Sequence, residues 1–405
     1  VAFLIAKVSL KHMSWPAHRT EQRPWTAQNG RGTRVGVVPE QVAVSIPARI
    51  AELDFAAKRT ISASEAALIA VTHLEAGQGQ YSPPLREFLL RGEAVASSRI
   101  EHIDAGWRAF SKAFGGAASR PEAQSQVCAV RALAGLVETA ATGRITEASL
   151  LSAHRVLIAP EWEKAGRYRT VQTWIGGSDY TPLNALYVPP PPELVPELMA
   201  DLLAFVARGD VPILVQAAIA HAQFVSIHPF VSGNGRIGRA LVSAVLRRRG
   251  LTDRVTVPLS SVMLADTSRY FAQLAAYRAG AAEEFVLYLT LAAVYASEGA
   301  IDSARTLTTL PRQWRDRARP RAASADEALL ANLLDHPILT IAGANALTTT
   351  TDSATYRALE RLVEAGILEV VSDSKRNRIW AATDILAELD ALNAAIGRRT
   401  TAGLS

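Results

Sequence analysis

Cysteine is all but missing from this chain: Cys128 stands alone among 405 residues. One thiol cannot close an intrachain disulfide, so oxidative stapling is excluded and a reducing, cytoplasmic setting is expected. No nucleophile motif surrounds Cys128, which reads as a small apolar side chain. Also absent is an apolar run long enough to cross a bilayer, so no membrane partner is expected. The apolar opening, 1–6, is brief and interrupted by Lys7, Lys11 and His12. No small-residue cleavage site follows, so it is not read as a secretory signal; Met13 is kept open as the natural start. There are no internal repeats, which sets aside solenoid architectures.

Charge of one sign is in short supply as well. The formal net charge is +5, an excess that permits contact with nucleic acid without requiring it. Hydrophobic residues make up 49% and charged residues 20%, a balance that builds folded cores rather than disorder. The length exceeds one ordinary core, so two or three domains are expected.

Helical spacing dominates what is present. Residues 14–45, rich in Arg, Gly, Pro and Gln, lack periodicity and read as an extended or strand-poor lead-in. Helices are expected over 48–57, 63–76 and 84–98, then over 122–142 and 146–158, where Thr146 is the candidate cap. Residues 166–188 break that rhythm. They alternate, pass through Gly176 and Gly177, and stop before four prolines, which predicts a β-hairpin. Further helices are expected over 193–207, from Asp210 to 226 with Pro212 in the first turn, and over 236–249, 268–278 and 283–297.

Between the helices ending near 226 and starting at 236 lies His228-Pro-Phe-Val-Ser-Gly-Asn-Gly-Arg-Ile-Gly-Arg239. Pro229 stops the first helix, and Gly233 and Gly235 allow backbone angles that other residues avoid. The free amides of the next helix favour an anion. Arg236 and Arg239, three residues apart, can address one phosphate chain. His228 stands just before this cradle, placed to take a proton from a hydroxyl.

This string resembles the signature of the Fic family, His-Pro-Phe-x-(Asp/Glu)-Gly-Asn-Gly-Arg-x-x-Arg. The resemblance implies a mostly α fold: a Fic helical bundle with a β-hairpin flap. It implies His228 as the general base, Phe230 as an anchor in the core, and Gly233, Asn234 and Gly235 as an anion hole. Arg236 is then expected on the β-phosphate and Arg239 on the γ-phosphate of ATP. Ser232 stands where the family carries the carboxylate that ligates Mg²⁺, and a neutral hydroxyl is a poor ligand for a hard cation. His221 and His154 are read as structural partners.

Upstream, Ser97-Ser-Arg-Ile-Glu101-His102 places Ser97 and Glu101 one helical turn apart. The segment is similar to the Fic inhibitory motif, (Ser/Thr)-x-x-x-Glu-(Gly/Asn), of the class with an N-terminal inhibitory helix. That implies a carboxylate on Arg239 in place of the γ-phosphate. The hairpin at 166–188 resembles the Fic flap, which adds a strand to a target protein.

The tail reads as helix, helix, helix and a two-stranded wing over 367–371 and 378–382, a winged-helix pattern that also occurs in this family. Its basic residues Arg357, Arg361, Lys375, Arg376 and Arg378 make DNA a partner to consider, with protein docking and a homodimer left open. The expected organisation is an N-terminal extension (1–34), a helical region with the inhibitory motif (35–115), a Fic core (116–300), an Arg-rich linker (301–324) and a winged-helix domain (325–398). The function implied is a protein adenylyltransferase that moves AMP from ATP to a Ser, Thr or Tyr hydroxyl of a target or of itself, restrained by Glu101. Two alternatives stay open: a catalytically impaired nucleotide-binding regulator, and a Fic enzyme of different transfer or of de-AMPylation.

Overall fold

The computed structural model describes residues 15–25, 39–55, 60–77, 82–177, 181–372 and 377–404. Lys7, Lys11, His12, Met13, Lys375 and Arg376 therefore lie outside the described residues. Among those described, fifteen α-helices carry most of the chain, with five short strands.

Of the two readings of the lead-in, extended or strand-poor, the described residues take the extended one. Strand β1 (Arg19–Pro24) pairs antiparallel with β2 (Gln41–Ile46), from Arg19 opposite Ile46 to Pro24 opposite Gln41. The sequence of β2 alternates, so Val42, Val44 and Ile46 face inward. They pack with Trp25 and Val188 in a small apolar cluster that also touches Trp174. The helix expected over 48–57 does not form over its described residues, 48–55. The amides of Ile50 and Ala51 are taken by the Asp201 carboxylate, and the Ala48 carbonyl accepts from Gln223. A loop pinned in this way takes two of its amides and one carbonyl out of any helical ladder.

The body contains α1 (Thr60–Ala76), α2 (Ser82–Ile100), α3 (Gly106–Phe114), α4 (Pro121–Ala140) and α5 (Glu147–Leu157). It continues with α6 (Val195–Ala207), α7 (Ile213–Ile227), α8 (Asn234–Arg248), α9 (Leu259–Ala265), α10 (Thr267–Arg278) and α11 (Ala282–Ala318). Helix α7 is the axis. Every residue from Leu214 to Ile227 is buried, and small residues at 217, 218, 220 and 222 let α6, α8 and α11 approach it. Thr146 caps α5 in a reciprocal capping box with Ser149. Asp210 does not cap α7: it pairs with Arg208, and the helix starts after Pro212.

The linker expected at 301–324 is, up to Ala318, the end of α11. Ala304, Leu307, Leu310 and Trp314 recur at helical spacing and are buried, which holds the helix together past Pro311. By length and composition α11 could cross a membrane, but 61% of its most apolar window is buried inside the protein.

Beyond it come α12 (Ala325–Asn332), β3 (Ile338–Thr340), α13 (Ile341–Thr348), α14 (Asp352–Glu364), β4 (Leu368–Val370), β5 (Ile379–Ala382) and α15 (Thr383–Leu404). The strands form one antiparallel sheet in the order β3-β5-β4. This unit is not tethered loosely. Helix α15 returns to the body and packs on α2, α9 and α11, with Leu389 and Leu392 against Gly92 and Ile396 against Gly299. Trp107 donates to Asp390 at 2.8 Å, and Arg108 reaches Glu369 and the Val370 carbonyl.

Candidate active site

The loop between α7 and α8 is built by opposing instructions in its sequence. His228 ends α7 in the left-handed region, at φ 53°, and Pro229 cannot continue the helix. Gly233 opens α8 from φ 74°; a Cβ there would press on Leu157 at 2.9 Å. Phe230 is fully buried and stacks on the His154 ring, with centroids 3.7 Å apart.

His154 does more than fill space. Its Nδ1 accepts from the Gly166 amide, so Nε2 carries the proton and donates to the Ser232 carbonyl at 3.1 Å. Burial, then the nearby Arg236, hold its pKa down at about 4, with the Ser232 carbonyl opposing. His221 is likewise a buried partner, 2.9 Å from the Tyr270 hydroxyl.

Asn234 is spent locally. Its Oδ1 accepts from the Phe230 amide at 2.9 Å and its Nδ2 donates to the Phe230 carbonyl at 2.8 Å. The side chain is thus a brace for the loop, and its backbone amide is the group left for a ligand. The first amides of α8 have no acceptor within the helix.

Arg236 and Arg239 both point to one carboxylate. Glu101, just past the end of α2, accepts from Arg239 Nη2 at 2.9 Å and from Arg236 Nε at 3.1 Å. Arg239 is completed by Ser97, whose Oγ and carbonyl each accept at 2.7 Å. Arg236 gives a further bond to the Ser125 hydroxyl at 2.9 Å. Both guanidinium groups are nearly sealed, with side-chain exposures of 9% and 3%, while Glu101 keeps 28%. A Cβ on Gly235 would collide with the carboxylate, so glycine is what lets it come this close to the start of α8. His102 follows Glu101 with φ 61°, a left-handed conformation that favours glycine or asparagine.

The His228 ring is partly open to solvent. Burial chiefly, then the Arg169 and Arg278 guanidinium groups, depress its pKa to about 3, and the Val225 carbonyl offsets this in part. It is therefore neutral, a base rather than an acid, across the physiological range.

Sequence reasoning passed over Arg169. Its Nε donates to the His228 carbonyl at 2.7 Å, its amide to the Pro229 carbonyl at 2.9 Å, and its guanidinium also reaches the Val171 and Pro190 carbonyls. One buried side chain thus ties the loop to the start and end of 168–190. A lone arginine in an alternating segment was the signal available. Glu93 was also passed over: on α2 two turns before Glu101, it accepts from the Ser260 amide and hydroxyl. Burial, against those two bonds, pushes its carboxyl up to about 7.

The hairpin expected at 166–188 is reduced to one antiparallel bridge, Ile175 with Tyr187, and residues 178–180 lie outside the described residues. Regular pairing stops because Gly176 and Gly177 both have positive φ and Tyr187 turns inward to the Ser226 carbonyl. Leu186, 85% exposed, and Ile175 remain on the surface beside the loop.

A profile of the Fic/DOC family matches residues 144–246. Protein adenylyltransferase fic-1 of Caenorhabditis elegans is 31% identical over 144 residues, 35% of this chain and 25% of that protein. Protein adenylyltransferase Fic of Nematostella vectensis is 30% identical over 167 residues, 40% of this chain and 35% of that protein. The chain thus spans about a quarter to a third of the curated relatives it matches. A crystal structure of a Fic family protein from Desulfovibrio desulfuricans G20 shares the fold, with a TM-score of 0.52 and 22% identity over 81% of this chain and 97% of that one. Residues 144–246, which hold the loop and the helices that position it, are a Fic/DOC domain.

Proposed function

We propose that this chain is a protein adenylyltransferase restrained by its own Glu101. The observation that carries the reading is an anion already seated on Arg236 and Arg239 at the start of α8. A glutamate there satisfies two nearly buried cations that would otherwise lack a counter-charge. The triphosphate of ATP offers the same charge to the same donors, so carboxylate and nucleotide compete.

With Glu101 displaced, Gly233, Asn234 and Gly235 would supply backbone amides to the phosphates, Arg236 the β-phosphate contact and Arg239 the γ-phosphate contact. His228 would take the proton of a Ser, Thr or Tyr hydroxyl while that oxygen forms its bond to the α-phosphorus. The bond from the α-phosphorus to the bridging oxygen breaks, and pyrophosphate leaves with the electron pair. Catalysis of this kind is positioning plus charge stabilisation. A bound triphosphate also favours a protonated imidazole, raising the His228 pKa toward the working range. The target would be held by main-chain pairing along the segment around Ile175 and Leu186.

The donor set does not fit a divalent cation held by the protein. Ser232 offers a neutral hydroxyl that is buried without a partner, and Glu101 is committed to two arginines. No cluster of three metal-ligating acidic, histidine or cysteine side chains exists among the described residues. The same orphaned Ser232 hydroxyl favours a second reading, a nucleotide-binding regulator with weak transfer.

We read the C-terminal sheet, with its order β3-β5-β4 and the helices α12, α13 and α14, as a winged helix. The deciding experiment is to incubate the Glu101→Gly protein with ATP and each other nucleoside triphosphate and weigh it intact. A mass gain of one AMP, lost again on His228→Ala, is expected. ATP binding without any mass gain would instead establish the regulator.

A further inference from the structure

Six arginines fall between positions 305 and 321, and up to Ala318 a rigid helix displays them. The buried side of this part of α11 is formed by Ala304, Leu307, Leu310 and Trp314. Arg305 and Arg312 are seven residues apart, nearly two helical turns, so they share the opposite side; Arg315 lies next to that row, and Arg319 ends the helix in the left-handed region at φ 45°. All four are exposed. At 1.5 Å per residue the span from Arg305 to Arg319 is about 21 Å.

Their partners set them apart from the other cations of the C-terminal region. Arg305 contacts Asp302 at 3.1 Å but stays 76% exposed, and Arg317 is taken by Asp384. Arg312, Arg315, Arg319 and Arg321 have no carboxylate in ion-pair reach among the described residues; the exposed Asp316 is the acidic residue between them. On α14, by contrast, Arg361 is locked by both oxygens of Asp326 at 2.5 and 2.8 Å. Arg378 on β5's approach leans on Glu360 at 3.8 Å and on the Tyr356 ring. The first turn of α14 carries Asp352. The helix that a winged-helix reading would insert into a groove has Arg357 and little other uncommitted charge.

A cationic helix C-terminus also complements the helix dipole, but that effect fades within the last turn. Arg312 lies nearly two turns before the end and Arg305 farther still. Arg305, Arg312 and Arg315 are carried on one continuous helix that runs through Pro311, a spaced set of charges that suits the repeating phosphates of a duplex. Its large aromatic, Trp314, is buried, so no exposed ring offers a single strand a base to stack on. No large apolar side chain is exposed along it, as membrane insertion would need.

We propose that the arginines at the end of α11, Arg305, Arg312 and Arg315 on the helix with Arg319 and Arg321 just beyond it, bind the sugar–phosphate backbone of duplex DNA. Guanidinium groups engage phosphates bidentately, and contacts of this kind position a protein without reading sequence. The site is independent of the nucleotide loop, so its fate and that of the transferase reading separate cleanly.

The test is fluorescence anisotropy of the full chain with a labelled random-sequence duplex of about 20 base pairs, titrated at several salt concentrations. The wild-type chain is expected to bind at low salt, with log K falling linearly in log salt. The combined variant Arg312→Gln, Arg315→Gln, Arg319→Gln should bind at least about tenfold more weakly and flatten the slope by about 2.7, near 0.9 per phosphate contact. Arg357→Gln on α14 should stay within about twofold of wild type, since one rim charge contributes little. If the combined variant melts early, each single glutamine variant should still flatten the slope by about 0.9. The proposal is overturned by a wild-type chain that ignores duplex at low salt, by unchanged binding in the combined variant, or by loss confined to Arg357→Gln. Binding to phosphatidylserine vesicles with none to DNA would overturn it too.

Discussion

Two groups of arginines on this chain use the same side chain in opposite ways. Arg236 and Arg239 are nearly sealed and held by several partners: Glu101 accepts from both, Ser125 from Arg236 and Ser97 from Arg239. Arg312, Arg315 and Arg319 stand in solvent without an acidic partner among the described residues. The first pair sits at the start of a helix and must be neutralised by some anion, whether carboxylate or phosphate. The second set is hydrated and owes nothing to a partner. Burial, not residue type, turns a guanidinium into a position that has to be filled.

The sharpest way to probe the buried pair is to open it. With Glu101→Gly as background, His228→Ala should lower nucleotide transfer by about 10²–10⁴-fold, the usual worth of a general base; labelled ATP in a self-modification assay reads it out. An undiminished rate would remove His228 from the chemistry.

Next in size is stability. Arg239→Ala leaves Glu101 half-compensated in a closed site and should cost about 3 kcal/mol, whereas Arg315→Ala should stay within about 0.5 kcal/mol. Urea melts of the two variants side by side test the contrast, and equal midpoints would erase it. The opened site should also respond to ligand. Glu101→Gly is expected to melt below wild type when free, yet to gain about 2.7 kcal/mol at ATP a hundredfold above its Kd, while wild type gains less. Calorimetry with and without ATP decides, and an identical gain in both proteins would mean that Glu101 does not compete.

Acid should loosen the loop before it disturbs the arginine row. His154 and His221 are buried, with pKa values lowered by burial to about 4 and about 3. A depressed folded-state pKa means the stabilisation is whole above about 6.5 and is lost as pH falls toward those values. Each should cost about 1.4 kcal/mol per pH unit across that window. Glu93 runs the other way: its raised pKa gives stability that is complete below about 4.5 and lost as pH rises through about 7. A melting-temperature profile from pH 4 to 8, repeated on Glu93→Gln, separates the two slopes. The smallest effect is expected at His102, where glycine relieves the left-handed backbone and should add up to about 1 kcal/mol by thermal melt.

How much of this was legible can be argued residue by residue. The loop was plain, because proline, glycine and arginine at fixed offsets act locally and leave few alternatives. The partnership of Glu101 with Arg239 followed from the resemblance alone, and its second bond to Arg236 needed the fold. That the Asn234 side chain braces the loop against Phe230 needed the fold, since in sequence its amide looks free. The stretch 301–318 was misread for a related reason. Arginine density masked the buried spacing of Ala304, Leu307, Leu310 and Trp314, and Pro311 looked like a stop. Arg169 and the β1–β2 ribbon depend on residues far apart in the chain, where local pattern carries no signal.

By itself the sequence determined the helical character, the turn that opens α8 and the identity of the groups around it. Spacing within one helix or one loop is enough for that, since neighbours along the chain are neighbours in space. Only the tertiary structure decided which carboxylate meets which guanidinium, which arginines are sealed and which stay wet, and how α15 closes on the helix that leads into Glu101. Those outcomes depend on burial, and burial is a property of the packed molecule rather than of any segment.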